Sequence, residues 1–222
     1  MNEMTKRSIT STVLGLVVWI SIIYLNPIVF SLLLAGALIH IMWFEWPKFF
    51  SINTPAFWLI TPFYPLLPFA LLFALNVSPN PSYHYLLFML FVLVSTFDSG
   101  SFMVGTKYGK HTIAPKISPA KTWEGFFGGC IATLLCMVIV MLSKDTPHGS
   151  WLSLSAVTLI VCVISLCGDL FESWLKRRAH LKDSGYILPG HGGFLDRLDG
   201  VLFAVFFFYI FKAQLALIFV GA

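Results

Sequence analysis

Seven apolar runs, at 9–25, 28–44, 56–75, 83–97, 125–142, 151–167 and 201–220, fill most of this chain and leave it few ways to fold. A membrane-spanning helix needs about 20 predominantly apolar residues, within a range of roughly 17 to 25. The expectation is therefore all-α: a polytopic membrane helical bundle of about seven spans, one integral membrane domain over 1–222. The third run contains Pro62, Pro65 and Pro68, and each proline removes a helix donor, so a kink or a pair of half-helices is expected there. The fourth run is short and begins near the interface. Composition agrees, since 11% of residues are charged against about 25% in soluble domains. The first run mimics a signal peptide but shows no small-residue cleavage site before Leu25, and reads as a retained span. Cys130, Cys136, Cys162 and Cys167 all lie in apolar runs without a CxxC pair, as small buried hydrophobes rather than a disulfide framework or zinc site.

Basic residues orient the bundle. With the N-terminus inside, Lys6, Arg7, Lys48, Lys107, Lys110, Lys116, Lys121, Lys176, Arg177, Arg178, Lys182 and Arg197 all become cytoplasmic, twelve of the fourteen Lys and Arg. Lys144 falls in an outer loop, and Lys212 within the last run, where it snorkels or faces the bundle. The net charge of +4 is thus concentrated on the face that meets anionic headgroups or solutes.

Two inner segments are long enough to build a site, 98–124 and 169–199, and they hold seven of the ten acids. In the first, Asp98 closes the fourth span. Gly105 and Gly109, four apart, suit either helix packing or close approach of an anion to the backbone. Ser118, Lys121, Thr122 and Glu124 precede an apolar run and read as a helix start with Ser118 as cap, its dipole end flanked by Lys116 and Lys121 as a phosphate site. An ordinary capped helix with positive-inside lysines is the plainer alternative.

In the second segment, Asp169 and Glu172 lie three apart on one helical face where the sixth span ends, followed by Ser173, Lys176 and Arg177. A carboxylate at the hydrocarbon rim is costly unless paired or metal-bound, and simple pairing with Lys176 and Arg177 is one outcome. Gly192 and Gly193 free the backbone for tight approach to phosphate. Asp196 and Asp199 open the last span, both facing one way and Arg197 another. Carboxylates near phosphate suit Mg²⁺, whereas helix-dipole complementarity explains a single acid but not five acids, five bases and a glycine-rich turn together. His191 has no second His at metal-ligand spacing, which leaves it to donate to a phosphate or to pack the turn.

The stretch Ser173-Trp-Leu-Lys176-Arg177, then Lys182-Asp183, then Leu188-Pro-Gly190-His191-Gly192-Gly193-Phe-Leu-Asp196-Arg197-Leu-Asp199 closely resembles the signature of the phosphatidate cytidylyltransferase (CDP-diacylglycerol synthase) family. The upstream residues Asp98, Gly105, Gly109, Ser118, Pro119, Lys121, Thr122, Trp123, Glu124 and Gly125 also resemble it. Ser101-Phe102 stands where family members commonly have Ala-Tyr, and the N-terminal region is shorter than in many members. The resemblance implies condensation of CTP with phosphatidate to CDP-diacylglycerol and pyrophosphate, with Mg²⁺ and, in some members, a second cation such as K⁺. It implies Asp169 and Asp196 as ligands of the metal pair, with Asp199 and Glu172 as further ligands or neighbours. Lys121, Lys176, Arg177, Lys182 and Arg197 would hold the triphosphate and lipid phosphate, Ser118, Ser173, Gly192 and Gly193 would donate hydrogen bonds, and Asp183 would orient a base or the cytosine. No protein nucleophile is needed, because a phosphate monoester is the attacking anion. The partners implied are CTP, phosphatidate and the bilayer, in a bacterial inner membrane with the active face cytoplasmic. No nucleic acid is expected, and a homodimer is compatible with the chain. Two other readings stand beside it: a CTP-dependent polyprenol or dolichol kinase, and a transporter with the carboxylates as a permeation site.

Overall fold

The computed structural model describes residues 15–142, 149–187 and 192–221, in which helices begin where prolines and short polar caps punctuate the apolar runs. Helix α1 is described over 15–23. The Asn26 side chain accepts from the Ile28 amide at 3.0 Å and starts α2, Pro27–His40. That helix widens through a π turn, Ile41–Glu45, and tightens into a 3₁₀ turn, Trp46–Lys48. Asn80 likewise caps α5, Pro81–Tyr108, accepting from Ser82 N at 2.9 Å, with proline in the first turn, where it has no intrahelical partner to lose.

The proline-rich run is broken in two. Helix α3, Pro55–Ile60, leads through a π turn at Pro62–Leu66 into α4, Leu67–Asn76, and Tyr64 inside the turn has extended backbone angles. The Trp46 indole donates to Thr61 Oγ1 at 2.7 Å and packs against Tyr64, wedging the break against the end of α2.

Two helices outrun the apolar segments that announce them. The α5 helix continues through Asp98 to Tyr108, so Asp98 does not close a span, and α7, Trp151–Arg178, carries Asp169 and Glu172 in its interior. Hydropathy marks where a helix turns polar, whereas it ends only where hydrogen bonding fails, at Gly109 and at Ala179-His180, the latter with φ 56°.

Between α5 and α6, Trp123–Leu142, the chain forms a small antiparallel hairpin, β1 Thr112–Ala114 with β2 Ser118–Thr122. This corrects the helix start expected at Ser118. That residue lies in β2, and the hydroxyl that caps α6 belongs to Thr122, accepting from Gly125 N at 3.2 Å. Pro115 and Pro119 bar a helix over the segment, and the carbonyl of Ala114 accepts from Ile117 N to close the turn.

Among the described residues, five stretches, Pro27–Lys48, Pro55–Asn76, Pro81–Tyr108, Trp123–Leu142 and Trp151–Arg178, are long and apolar enough to cross a membrane. The seventh run is not one straight helix: α8, Leu195–Ile210, and α9, Lys212–Phe219, meet at 90° and qualify as a span only as a bent pair. Lys212 sits at the bend with its ammonium 4.0 Å from the Tyr209 ring centroid and 5.4 Å from that of Tyr83, a cation–π solution to a charge among apolar residues. The first run lies partly outside the described residues. The protein is an all-α polytopic membrane protein with one short hairpin.

Helices α5 and α6 pack through small residues. A Cβ at Gly129 would lie 2.8 Å from the Phe97 ring and its carbonyl, and one at Gly125 would lie 2.8 Å from Ser101 O and 3.1 Å from Gly105 Cα. Gly105 therefore serves helix contact, with backbones close enough for dispersion to hold them in lipid. Overpacking such a seam costs about 1–3 kcal/mol, so Gly129→Val is expected to lower the unfolding midpoint of the detergent-solubilised protein by several degrees; an unchanged midpoint would mean that the seam is loose.

Candidate functional site

The crossing of α7 and α8 draws the first group of acids together. A Cβ at Gly168 would meet the Asp199 carbonyl at 2.5 Å and Gly200 Cα at 3.1 Å, so these two backbones touch and the flanking Asp169 and Asp199 become neighbours. Asp169 and Asp199 are buried, and Asp98 on α5 joins them, receiving a long hydrogen bond from Ser165 Oγ at 3.4 Å. All three are close enough to act on one another electrostatically. Lys121, near the end of β2, forms an ion pair with Asp169. Burial works to lower the pKa of its ammonium, but Asp169 and then Asp98 outweigh it and hold Lys121 above the ordinary lysine range, fixing it as a cation.

A second group lies one turn further along α7. Lys176 bridges Glu172, its neighbour at i−4, and Asp196 Oδ1 on α8 at 2.7 Å. Glu172 is fully buried, and neither of its oxygens has a well-formed hydrogen bond among the described residues. The other Asp196 oxygen accepts from Ser184 N at 2.9 Å, Ser184 Oγ at 2.9 Å and Gly193 N at 2.8 Å. Gly192 has φ 81°, and a Cβ there would strike the Asp196 carboxylate, so this position requires glycine twice over.

The hairpin is pinned at both ends. Glu124 accepts from the amides of Lys110 and His111 at 3.0 and 3.2 Å and contacts the His111 ring at 2.5 Å, which closes its base. Arg177 donates to Ile117 O at 3.1 Å and holds its tip against the end of α7. Beside the acids, an apolar groove of about 520 Å³ runs between the broken span and α7 and α8, lined by Leu59, Phe63, Tyr64, Phe171, Phe203 and Phe206. Tyr64 forms its inner wall, and its buried hydroxyl has no hydrogen-bond partner among the described residues.

One end of the bundle thus gathers five buried or half-buried carboxylates around two lysine ammonium groups, next to a groove open to apolar chains. The profile of the cytidylyltransferase family matches residues 57–215, a span that contains all seven of these charged residues. The chain belongs to the cytidylyltransferase family. It is 41% identical over 175 residues to a protein named phosphatidate cytidylyltransferase from Haemophilus influenzae, an alignment covering 74% of this chain and 59% of that one. Proteins of the same name from Bacillus subtilis and Staphylococcus saprophyticus are each 45% identical, over 129 and 122 residues, covering 58% and 55% of this chain and 47% and 46% of theirs. The chain spans about half the length of the curated relatives it matches.

Against this family background, Lys121, Asp169, Glu172, Lys176, Asp196 and Asp199 are brought together at one end of the bundle. Arg197 faces outward from α8 yet acts electrostatically on Asp98. Arg177 reaches backbone carbonyls of Ile117 and Leu181. Ser173 is half-buried on α7, Ser118 is half-buried in β2, Lys182 is exposed, and Asp183 lies beside Gly192. Gly193 packs on Ser184 and on a carboxylate that the sequence reading missed, Glu45. His191 lies outside the described residues. Glu45 left one signal, as a lone acid in the aromatic stretch Ile41-Met-Trp-Phe-Glu45-Trp46 at a span end, where an unpaired charge is costly.

Among the described residues, no three His, Cys, Asp or Glu side chains converge closely enough to hold a metal ion alone. The donor chemistry nevertheless fits Mg²⁺, which takes one or two carboxylates and completes its shell with substrate phosphates and water. Asp98, Asp169 and Asp199 are three carboxylates set against two cations that act on this group, Lys121 and the more outlying Arg197, and so offer hard oxygens in excess.

Proposed function

We propose that the protein condenses CTP with phosphatidate to give CDP-diacylglycerol and pyrophosphate, on the cytoplasmic face of a bacterial inner membrane. The observation that carries this reading is the family match over 57–215, with the buried lysine and carboxylate cluster and the apolar groove inside it. An oxygen of the lipid phosphate attacks the α-phosphorus of CTP, and the bond from that phosphorus to the bridging oxygen breaks, releasing pyrophosphate. The attacking group is already an anion, so no side chain must take a proton; the residues' task is to seat two polyanions in line and neutralise them.

Lys121, Lys176 and Arg197 are the cations proposed to face the phosphates, with Arg177 and Lys182 at the rim and Ser118, Ser173 and the Gly192-Gly193 backbone as donors. Asp169 and Asp196 are the proposed ligands of Mg²⁺ and of a second cation such as K⁺, with Asp98, Asp199 and Glu172 beside them. Bound there, the metal would screen the phosphate charges and polarise the reacting phosphoryl group. The groove beside Tyr64 suits an acyl chain. The basic residues grouped at the site-bearing end support the inward orientation.

Incubation of the purified protein with labelled CTP, phosphatidate and Mg²⁺ is expected to give CDP-diacylglycerol and pyrophosphate in equal amounts. Release of CDP with a newly phosphorylated lipid would identify a kinase instead, and solute flux into liposomes without nucleotide turnover would identify a transporter.

A further inference from the structure

We propose that Glu45 is a positioning residue for this site, acting on Asp196 through Ser184 from outside the segment that matches the family profile. Glu45 is fully buried at the end of the second span. Its Oε1 accepts from Phe194 N at 2.8 Å, and its Oε2 accepts from Leu195 N and Ser184 Oγ, each at 2.9 Å. Phe194 and Leu195 open α8, whose first amides have no intrahelical acceptor, and no side chain at the Phe194 cap position supplies one. A carboxylate from about 150 residues upstream does so, where the positive end of the helix dipole favours its charge. Among the described residues, the only basic side chain paired with Glu45 is His40, at 3.4 Å.

The same contacts reach Asp196. Ser184 Oγ lies 2.9 Å from both Glu45 Oε2 and Asp196 Oδ2, and its single proton serves one carboxylate at a time, coupling the two. Lys48, one turn beyond Glu45, donates to Ser184 O at 2.9 Å, so the end of the second span grips this residue from both sides. Gly193 lies against Glu45 with no room for a Cβ, and one at Gly185 would sit tightly, 3.1 Å from Glu45 Oε1. Glu45 thereby fixes Ser184, which contacts Asp196, and sets where α8, which presents Asp196 to Lys176, starts. Glutamine keeps the shape of glutamate but turns an NH₂ toward donors that need an acceptor, so the interaction requires the carboxylate.

The kinetic part of this inference rests on the proposed activity, and an independent readout accompanies it. In the full-length protein, Glu45→Gln is expected to lower kcat about 10–100-fold, the scale of a roughly 1 Å misplacement near reacting groups, with a much smaller change in KM for CTP. Amide hydrogen exchange at 193–195 should accelerate while that of α5 and α6 stays as in the wild type. In a Ser184→Ala background the Glu45→Gln effect on kcat should shrink at least severalfold, because the shared donor is already gone. Wild-type kcat in Glu45→Gln, unchanged exchange at 193–195, or full multiplicative losses in the double variant would each overturn the proposal. If Glu45→Gln does not accumulate folded, Glu45→Asp, which keeps the charge but falls one methylene short, is held to the same outcomes. Should the wild type produce no CDP-diacylglycerol, the functional reading fails, and the exchange data alone decide whether Glu45 holds the start of α8.

Discussion

Asp169→Asn is expected to reduce pyrophosphate release from CTP and phosphatidate by about 10³-fold, equivalent to roughly 4 kcal/mol of transition-state stabilisation, in a protein that still folds. Asp169 is 5% exposed, paired with Lys121 and flanked by Asp98 and Asp199. Asparagine preserves its volume and removes its charge. Breaking a buried ion pair usually destabilises by about 3–5 kcal/mol because the partner is left uncompensated. Here Asp98 and Asp199 still act on Lys121, so the loss of stability should fall below that range and the fold should survive. Catalysis has no such substitute if Asp169 is the carboxylate that holds a cation against the incoming phosphates. The paired measurement is turnover as a function of Mg²⁺ alongside thermal unfolding. Turnover within tenfold of the wild type, at any Mg²⁺ concentration, would transfer the cation-binding role from Asp169 to its neighbours.

The bundle itself was legible because lipid imposes a simple rule: apolar runs of spanning length become helices. That rule located the second to sixth spans and, through Pro62, Pro65 and Pro68, the break in the third, but not the 90° bend that makes the seventh run a pair of helices. It did not locate helix ends. Asp98 and Asp169 looked terminal because hydropathy falls there, yet their helices continue, since strand β2 supplies Lys121 to Asp169 and helix α7 supplies Ser165 to Asp98 as partners for polar groups facing inward. Ser118 followed by Pro119 imitates a helix start, and the difference is made by Thr112, whose pairing with Thr122 exists only once the hairpin closes. The pairing of Asp169 with Lys121 likewise spans 48 positions, and no local spacing encodes it. Glu45 is the extreme case. Its acceptor role depends on groups 139 to 150 residues away, so the sequence registers it only as an acid placed where an unpaired acid is costly.

Asp196→Asn should be nearly as damaging to turnover as Asp169→Asn and more damaging to stability, because the Asp196 carboxylate organises structure from both of its oxygens. One oxygen accepts from Ser184 N, Ser184 Oγ and Gly193 N, and the other from Lys176 Nζ. An asparagine has one acceptor oxygen, so whichever way the amide turns, its NH₂ confronts donors. If the oxygen stays with the loop, Lys176 loses a charge partner and faces a donor, keeping only Glu172. If it stays with Lys176, the amides of Ser184 and Gly193 lose their acceptor, each costing about 1–3 kcal/mol when left unsatisfied in a buried place. The expected result is a loss of about 3–4 kcal/mol in stability, within the range of about 3–5 kcal/mol for a broken buried ion pair, with turnover down by about 10²–10³-fold, or roughly 3–4 kcal/mol. Lys176→Met separates the two causes. Combined with Asp196→Asn and Glu172→Gln, so that no buried carboxylate is left without its cation, it removes the ammonium that the asparagine cannot satisfy, so the triple variant should unfold at a higher temperature than Asp196→Asn alone while remaining inactive. Identical midpoints for the single and triple variants would place the damage in the contacts to Ser184 and Gly193 rather than in the Lys176 bridge. Near-normal turnover of Asp196→Asn would remove Asp196 from the cation site altogether.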